Sequence, residues 1–222
     1  MLELHDLALD APDGRLRVEG LDLKLPRGGN LLVTGPRGSG KSRLLKVIAG
    51  TERPARGRVS LGGRDIWPGE GALALIGHLR VGFAFASGGL VSNLSLRENL
   101  ALPLRFLGLP SEAVQSRVDA ALEALGIQAV AGLRPHAVSP SARKHANFAR
   151  VLALEPELIL LDDPLEGLDA ADRTIAQNLI RTWADDGSCT LVIAAEEADS
   201  FSFLEAERLQ LAHAPMSLEP SP

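Results

Sequence analysis

The chain has 222 residues, 45% hydrophobic and 23% charged, which suits one sizeable globular core and argues against disorder. A formal net charge of -5 leaves no bulk electrostatic case for nucleic-acid binding, and the single cysteine, Cys189, excludes an internal disulfide and fits a reducing compartment. Residues 1–30 alternate charged and apolar positions, unlike a signal peptide, and no apolar run approaches the roughly 20 residues that span a bilayer, so membrane contact is expected only through a partner.

In chain order, Leu2, Leu4, Leu7, Leu9, Leu16, Val18, Leu21, Leu23 and Leu25 alternate with polar residues, with Gly14 and Gly20 as punctuation; this predicts short antiparallel strands. Leu31–Thr34 predicts a buried strand ending in a glycine-rich turn, and Ser42–Ala49 a helix stopped by Gly50. Arg58–Leu61 reads as an edge strand and Val81–Phe85 as a buried one, with Phe83 and Phe85 in the core. The middle of the chain changes period. Leu96–Leu107, Glu112–Leu125 and Ser141–Leu154 carry helical spacing with no strong strand between them, a helical insertion of roughly 60 residues. Alternation of strand and helix then resumes: Leu158–Leu161 is continuously apolar, Ala170–Trp183 is helical, and Thr190–Ala195 is a second apolar run. Such runs alternating with helices predict a mostly parallel sheet covered on both faces. Residues 214–222 read as a loose tail, and Glu196, Glu197 and Asp199 as a solvated helix start.

Gly35-Pro36-Arg37-Gly38-Ser39-Gly40-Lys41-Ser42 satisfies G-x-x-x-x-G-K-S between a predicted strand and a predicted helix. Glycines let the backbone wrap a phosphate with N–H groups inward, and the next helix presents its positive end. Lys41 is expected on the β- and γ-phosphates of ATP, and Ser42 on Mg²⁺. Asp162, closing the apolar strand, is the expected second holder of the metal; strand-ending aspartates also serve turns.

At this point the chain resembles, over nearly its whole length, the ATP-binding cassette (ABC) family. The resemblance rests on the phosphate loop, Thr51–Ile66 after it, Ser139–Arg150 as the signature helix, the acidic strand, and Leu168-Asp169 as the aspartate loop. It implies an α/β P-loop NTPase of ABC type as a single domain over residues 1–222, with a mostly parallel core and an N-terminal antiparallel region (1–86 and 155–213) and a helical subdomain at about 87–154. It implies an ATP site at Gly35–Ser42 and Arg43, completed by the signature loop of a second cassette, identical or different. It also implies an integral membrane permease as partner, and a peripheral place on the cytoplasmic face of the membrane. Asp163 takes the place of the catalytic glutamate.

The departures from the family pattern are as informative. Ala86 stands for the glutamine that senses metal and water, Arg43 for a threonine, Val138-Ser139-Pro140-Ser141-Ala142 for the glycine-rich signature, Ala195 for the switch histidine, and Asp10 or Ala11 for the adenine-stacking aromatic. Ser139 and Ser141 read either as a phosphate clamp or, with Pro140, as plain helix capping. Mg-ATP binding with slow or absent hydrolysis is expected. Three functions compete: a transporter ATPase, a nucleotide-gated scaffold without useful turnover, and a soluble DNA-repair or translation protein, which usually carries two cassettes or long coiled coils. Ser87–Leu107 also resembles ATPases of MCE-type lipid-trafficking systems, which implies lipid or lipoprotein transport; Leu90–Leu107 reads either as part of a docking groove for the permease or as ordinary core.

Overall fold

The computed structural model describes residues 1–10, 16–86 and 89–212. The expected tail at 214–222, and Ala11 as an adenine position, lie outside the described residues.

Strands β1 (Leu2–Asp10) and β2 (Leu16–Leu25) pair antiparallel with Leu4 opposite Leu23. Two further strands, β4 (Arg56–Leu61) and β5 (Arg64–Trp67), complete a sheet of order β2-β1-β4-β5. β4 is therefore internal, not the edge strand expected: the Gly62-Gly63 turn folds β5 back onto it. β5 escapes a periodicity reading because Arg64 and Asp65 leave it only Ile66 and Trp67 as apolar residues.

The second sheet is wholly parallel, in the order β6 (Val81–Ala84), β7 (Leu158–Asp162), β8 (Thr190–Ala195), β3 (Asn30–Thr34), β9 (Glu207–Gln210). Its central strands β7, β8 and β3 are apolar at consecutive positions because successive side chains face two different cores. Leu31, Val33, Leu158, Leu160 and Val192 meet helix α1 (Lys41–Ile48) and the antiparallel sheet. Leu32, Ile159, Leu161, Leu191 and Ile193 meet the opposite core, which holds α5 (Ala170–Asp186) and the helical region. β6 stops at Ala84 on the sheet edge, so Phe83 and Phe85 are half-buried rather than core residues, stacked with ring centroids 4.1 Å apart.

The middle helices are α2 (Leu96–Phe106), α3 (Ser111–Ala124) and α4 (Pro140–Leu154). Ser95 and Glu98 form a reciprocal capping box that sets the start of α2. α4 packs against α2, α3 and β6, tying this region to the parallel sheet. The carboxyl ends of β3, β7 and β8 finish level, with Thr34 paired to Ala195 and Asp162 to Ala194. The loops that follow them therefore converge on one edge, the place where open α/β sheets bind ligands.

Candidate functional site

The loop from β3 to α1 depends on glycine. Gly35 has φ 151°, and a Cβ there would lie 2.3 Å from the Leu211 carbonyl oxygen. Gly40, at φ 100°, opens α1 with no side-chain cap, so the first N–H groups of the helix face the loop. Lys41 is only 5% exposed; its Nζ donates to the carbonyls of Gly35 at 2.7 Å and Pro36 at 3.0 Å. Ser39 is wholly buried and its Oγ has no hydrogen-bond partner among the described residues. Ser42 Oγ donates to Asp162 Oδ1 at 2.9 Å across 120 residues of sequence. An uncapped helix start, a buried ammonium and an orphaned hydroxyl form a donor set that fits a polyphosphate. The Ser42–Asp162 oxygen pair fits a hard divalent cation beside it.

Both aspartates at the end of β7 have pKa values above the ordinary carboxylate value. Burial is the main cause for each. The Ser42 hydrogen bond opposes it at Asp162; at Asp163 the Lys41 charge opposes it while Glu166 and Glu196 reinforce it. Asp163 sits at φ 42°, and its N–H donates to Ala194 O at 2.9 Å. Lys144, from α4, donates to the carbonyls of Asp163 and Glu166, each at 2.7 Å, and burial pulls its pKa down. The main chain of the acidic turn is thus pinned from the signature-like helix, a contact that sequence spacing did not reveal.

At two of the substituted positions the structure turns the side chain away from the phosphate loop. Ala195 is the last residue of β8, 5% exposed, with its side chain in the core that holds α5. The first residue beyond the strand is Glu196, and it is Glu196 that reaches the phosphate loop: Arg37 Nε donates to it at 3.2 Å, while Arg37 Nη2 donates to Glu166 at 2.6 Å. The solvated helix start expected at 196–199 is instead this ion pair followed by a single 3-10 turn, Asp199–Phe201. Arg43 directs its guanidinium away from the loop, to Asp10 at 2.5 Å and Glu52 at 3.7 Å, so of its groups only the main chain belongs to the phosphate loop. That engagement also occupies Asp10, one of the two candidate adenine positions.

Gly35–Ser42, Asp162 and Asp163 thus come together at one edge. Ser139, Pro140 and Ser141 stand apart, at the start of α4; among the described residues no hydrogen bond joins them to the phosphate loop. Ser139 caps α4 by accepting from Ala142 N–H at 3.1 Å, with Pro140 as the first helical residue. Ala86 lines a cavity of about 290 Å³ with Pro140, Lys144 and Leu168. A larger apolar groove of about 600 Å³ lies on the flank of β6, lined by Leu75, Ile76, Phe83, Phe85, Phe106 and Leu107. Phe106 is 75% exposed on its rim, so the Leu90–Leu107 stretch is partly surface and not wholly core.

The family model described as ABC transporter matches residues 18–166. Over 170 residues the chain is 35% identical to the energy-coupling factor transporter ATP-binding protein EcfA of Methanothermobacter thermautotrophicus, covering 76% of this chain and 54% of EcfA. Over 200 residues it is 30% identical to the intermembrane phospholipid transport system ATP-binding protein MlaF of Haemophilus influenzae, covering 90% of this chain and 75% of MlaF. The chain thus spans little more than half the length of EcfA. An ATP-binding cassette solved as a dimer in a post-hydrolysis state with ADP and Pi superposes with TM-score 0.87 at 23% identity, covering 97% of each chain, a likeness of fold. Together with the P-loop geometry, the family match makes this chain a member of the ABC transporter family with the ATP-binding cassette fold.

Proposed function

We propose that this chain is the ATP-binding subunit of a membrane transporter complex and that it binds Mg-ATP at Gly35–Ser42. The observation that carries this reading is the buried polarity of the loop: Lys41, whose partners are carbonyls of its own loop, and Ser39 Oγ, which has none among the described residues. Buried polar groups left unsatisfied are costly unless a ligand completes them. Lys41 would exchange its carbonyls for phosphate oxygens, Ser42 and Asp162 would hold the cation, and the main-chain N–H groups of α1 would take the remaining charge. The cation, when bound, neutralises charge between the β- and γ-phosphates.

Hydrolysis in this reading is slow. Asp163 is one methylene shorter than glutamate, so its carboxylate stands roughly 1.5 Å back, while a general base must lie within about 2.6–3.2 Å of the proton it takes. Its raised pKa does not weaken it as a base; reach is the deficiency. Lys144 holds the Asp163 carbonyl, which resists the backbone shift that would restore reach. Ala86 offers no side-chain hydrogen bond to water or metal. A nucleotide-gated scaffold without useful turnover is the second reading, favoured by the same three features.

Partners follow from the family. A second cassette would supply its own Ser139–Ser141 region to the nucleotide, and a permease would dock through an apolar segment in the groove beside Phe83, Phe85 and Phe106. Among the described residues no helix is long and apolar enough to cross a membrane. The likeness to MlaF supports a lipid or lipoprotein cargo. The test is calorimetric titration with Mg-ATP. Lys41→Ala is expected to weaken binding at least about tenfold, because it removes a fixed charge from a site for several anionic oxygens. Equal affinity in mutant and parent would overturn the reading.

A further inference from the structure

Three loops, following β3, β7 and β8, each contribute one charged side chain to a single cluster. Arg37 lies in the phosphate loop, Glu166 follows the acidic turn, and Glu196 follows β8. The guanidinium donates to both carboxylates, at 2.6 Å and 3.2 Å. All three line an open cavity of about 320 Å³ whose wall includes Asp163. Glu166 and Glu196, with Lys41 and Lys144, are the charges that act on Asp163. The cluster therefore sits at the acidic-turn end of the loop, the end that faces the terminal phosphate in the reading above.

We infer that Arg37 discriminates ATP from ADP by contacting the terminal phosphate, and that Glu166 and Glu196 hold it back when no such phosphate is present. The inference rests on the nucleotide-binding reading. Its physical basis is an imbalance of partners. The Arg37 side chain is 78% exposed and both glutamates are 53% exposed, and an ion pair in that setting is a weak, salt-screened tether. A phosphate presents several oxygens to the planar fork of the guanidinium and competes well for it. The neighbouring Gly38 has φ 79° with open space where a Cβ would be, so no described residue crowds the loop at that point beside Arg37. Removing Arg37 would leave two uncompensated carboxylates facing the site, which penalises the nucleotide with more negative charge at that end. ADP, lacking that phosphate, would be affected little.

The experiment compares Mg-ATP and Mg-ADP affinities of the full chain by calorimetry at low ionic strength, with thermal melting as a folding control. Arg37→Ala is expected to weaken Mg-ATP about tenfold and Mg-ADP less than about twofold, the size of one charged contact near a polyanion. Arg37→Lys should recover most of the difference, because it keeps the charge. The double variant Glu166→Gln with Glu196→Gln should tighten Mg-ATP about threefold, since it frees the cation and removes repulsion. A parent that binds Mg-ATP, with an ATP-to-ADP ratio unchanged in Arg37→Ala, overturns the latch and leaves the nucleotide reading standing. A parent that binds neither nucleotide overturns both.

Discussion

The loop-to-helix junctions at α1 and α4 each place serine beside proline or glycine, and they treat their polar groups in opposite ways. At α1 the helix opens after Gly40 without a side-chain cap, Ser39 is wholly buried with an orphaned hydroxyl, and Lys41 is folded onto loop carbonyls. At α4 the helix opens after Ser139, whose hydroxyl caps it, with Pro140 supplying a preset first residue, and both are exposed. The second junction is complete by itself; the first is not. A protein keeps unsatisfied buried polarity where function requires it. In an isolated chain, nucleotide affinity should therefore reside at α1, and the α4 junction should matter to nucleotide only when a second cassette presents it.

The widest expected gap tests that contrast directly. Against the tenfold or greater loss of Mg-ATP affinity expected for Lys41→Ala, Ser139→Ala in the isolated chain should change affinity less than about twofold, since it removes only a cap. A large loss in calorimetry at Ser139 would break the distinction between the two junctions.

Turnover sharpens the comparison at the acidic end of the site. Asp163→Glu combined with Glu196→His is expected to raise steady-state phosphate release from the reconstituted complex by at least about tenfold, since a positioned acid–base group contributes about 10²–10⁴-fold. Asp163→Glu combined with Ala195→His should not, because Ala195 points into the core and a larger side chain there overpacks it. A parent rate already matching ordinary transporter ATPases would sink the slow-hydrolysis reading.

The same Ser139→Ala variant has a smaller, purely structural consequence. Loss of the cap costs about 1 kcal/mol, which for a chain of this size lowers Tm by about 2–4 °C. Unchanged melting would mean that the Ser139 hydroxyl is not a cap in solution.

The smallest effect concerns pH. Burial raises the pKa of Asp162, so folding disfavours its charged form. The cost is fully present above the folded-state pKa, shrinks as pH falls through it, and is absent below about 4, where the carboxyl is protonated folded or unfolded. Asp162→Asn should accordingly raise the Tm of the nucleotide-free protein near neutral pH, with the gain fading in acid. It should at the same time abolish the metal dependence of nucleotide binding. A gain that persists unchanged at pH 3 would mean that another interaction is responsible.

Some of this could be read one residue at a time. The spacing of Gly35, Gly40, Lys41 and Ser42 encodes its own backbone, and the alternation along β1 and β2 and the helical spacing of α2, α3 and α4 were visible for the same local reason. β9 was not visible, because Glu207-Arg208-Leu209-Gln210 has little apolar content and is a strand only by pairing with β3. Which residue after β8 faces the phosphate loop was not legible either: whether Ala195 or Glu196 turns out of the sheet depends on where β8 stops pairing with β3.

What the sequence determined by itself was the class of fold and the phosphate loop, because glycine placement, helix starts and apolar periodicity act over a few neighbouring residues. Only the tertiary structure decided who meets whom at the site. Ser42 reaches Asp162 across 120 residues, Arg37 reaches Glu196 across 159, and Lys144 crosses from another helix to pin Asp163. These partners are brought level by a sheet whose central neighbours, β7, β8 and β3, are not in chain order. Strand order and register are properties of packed layers, and no local pattern in the chain carries them.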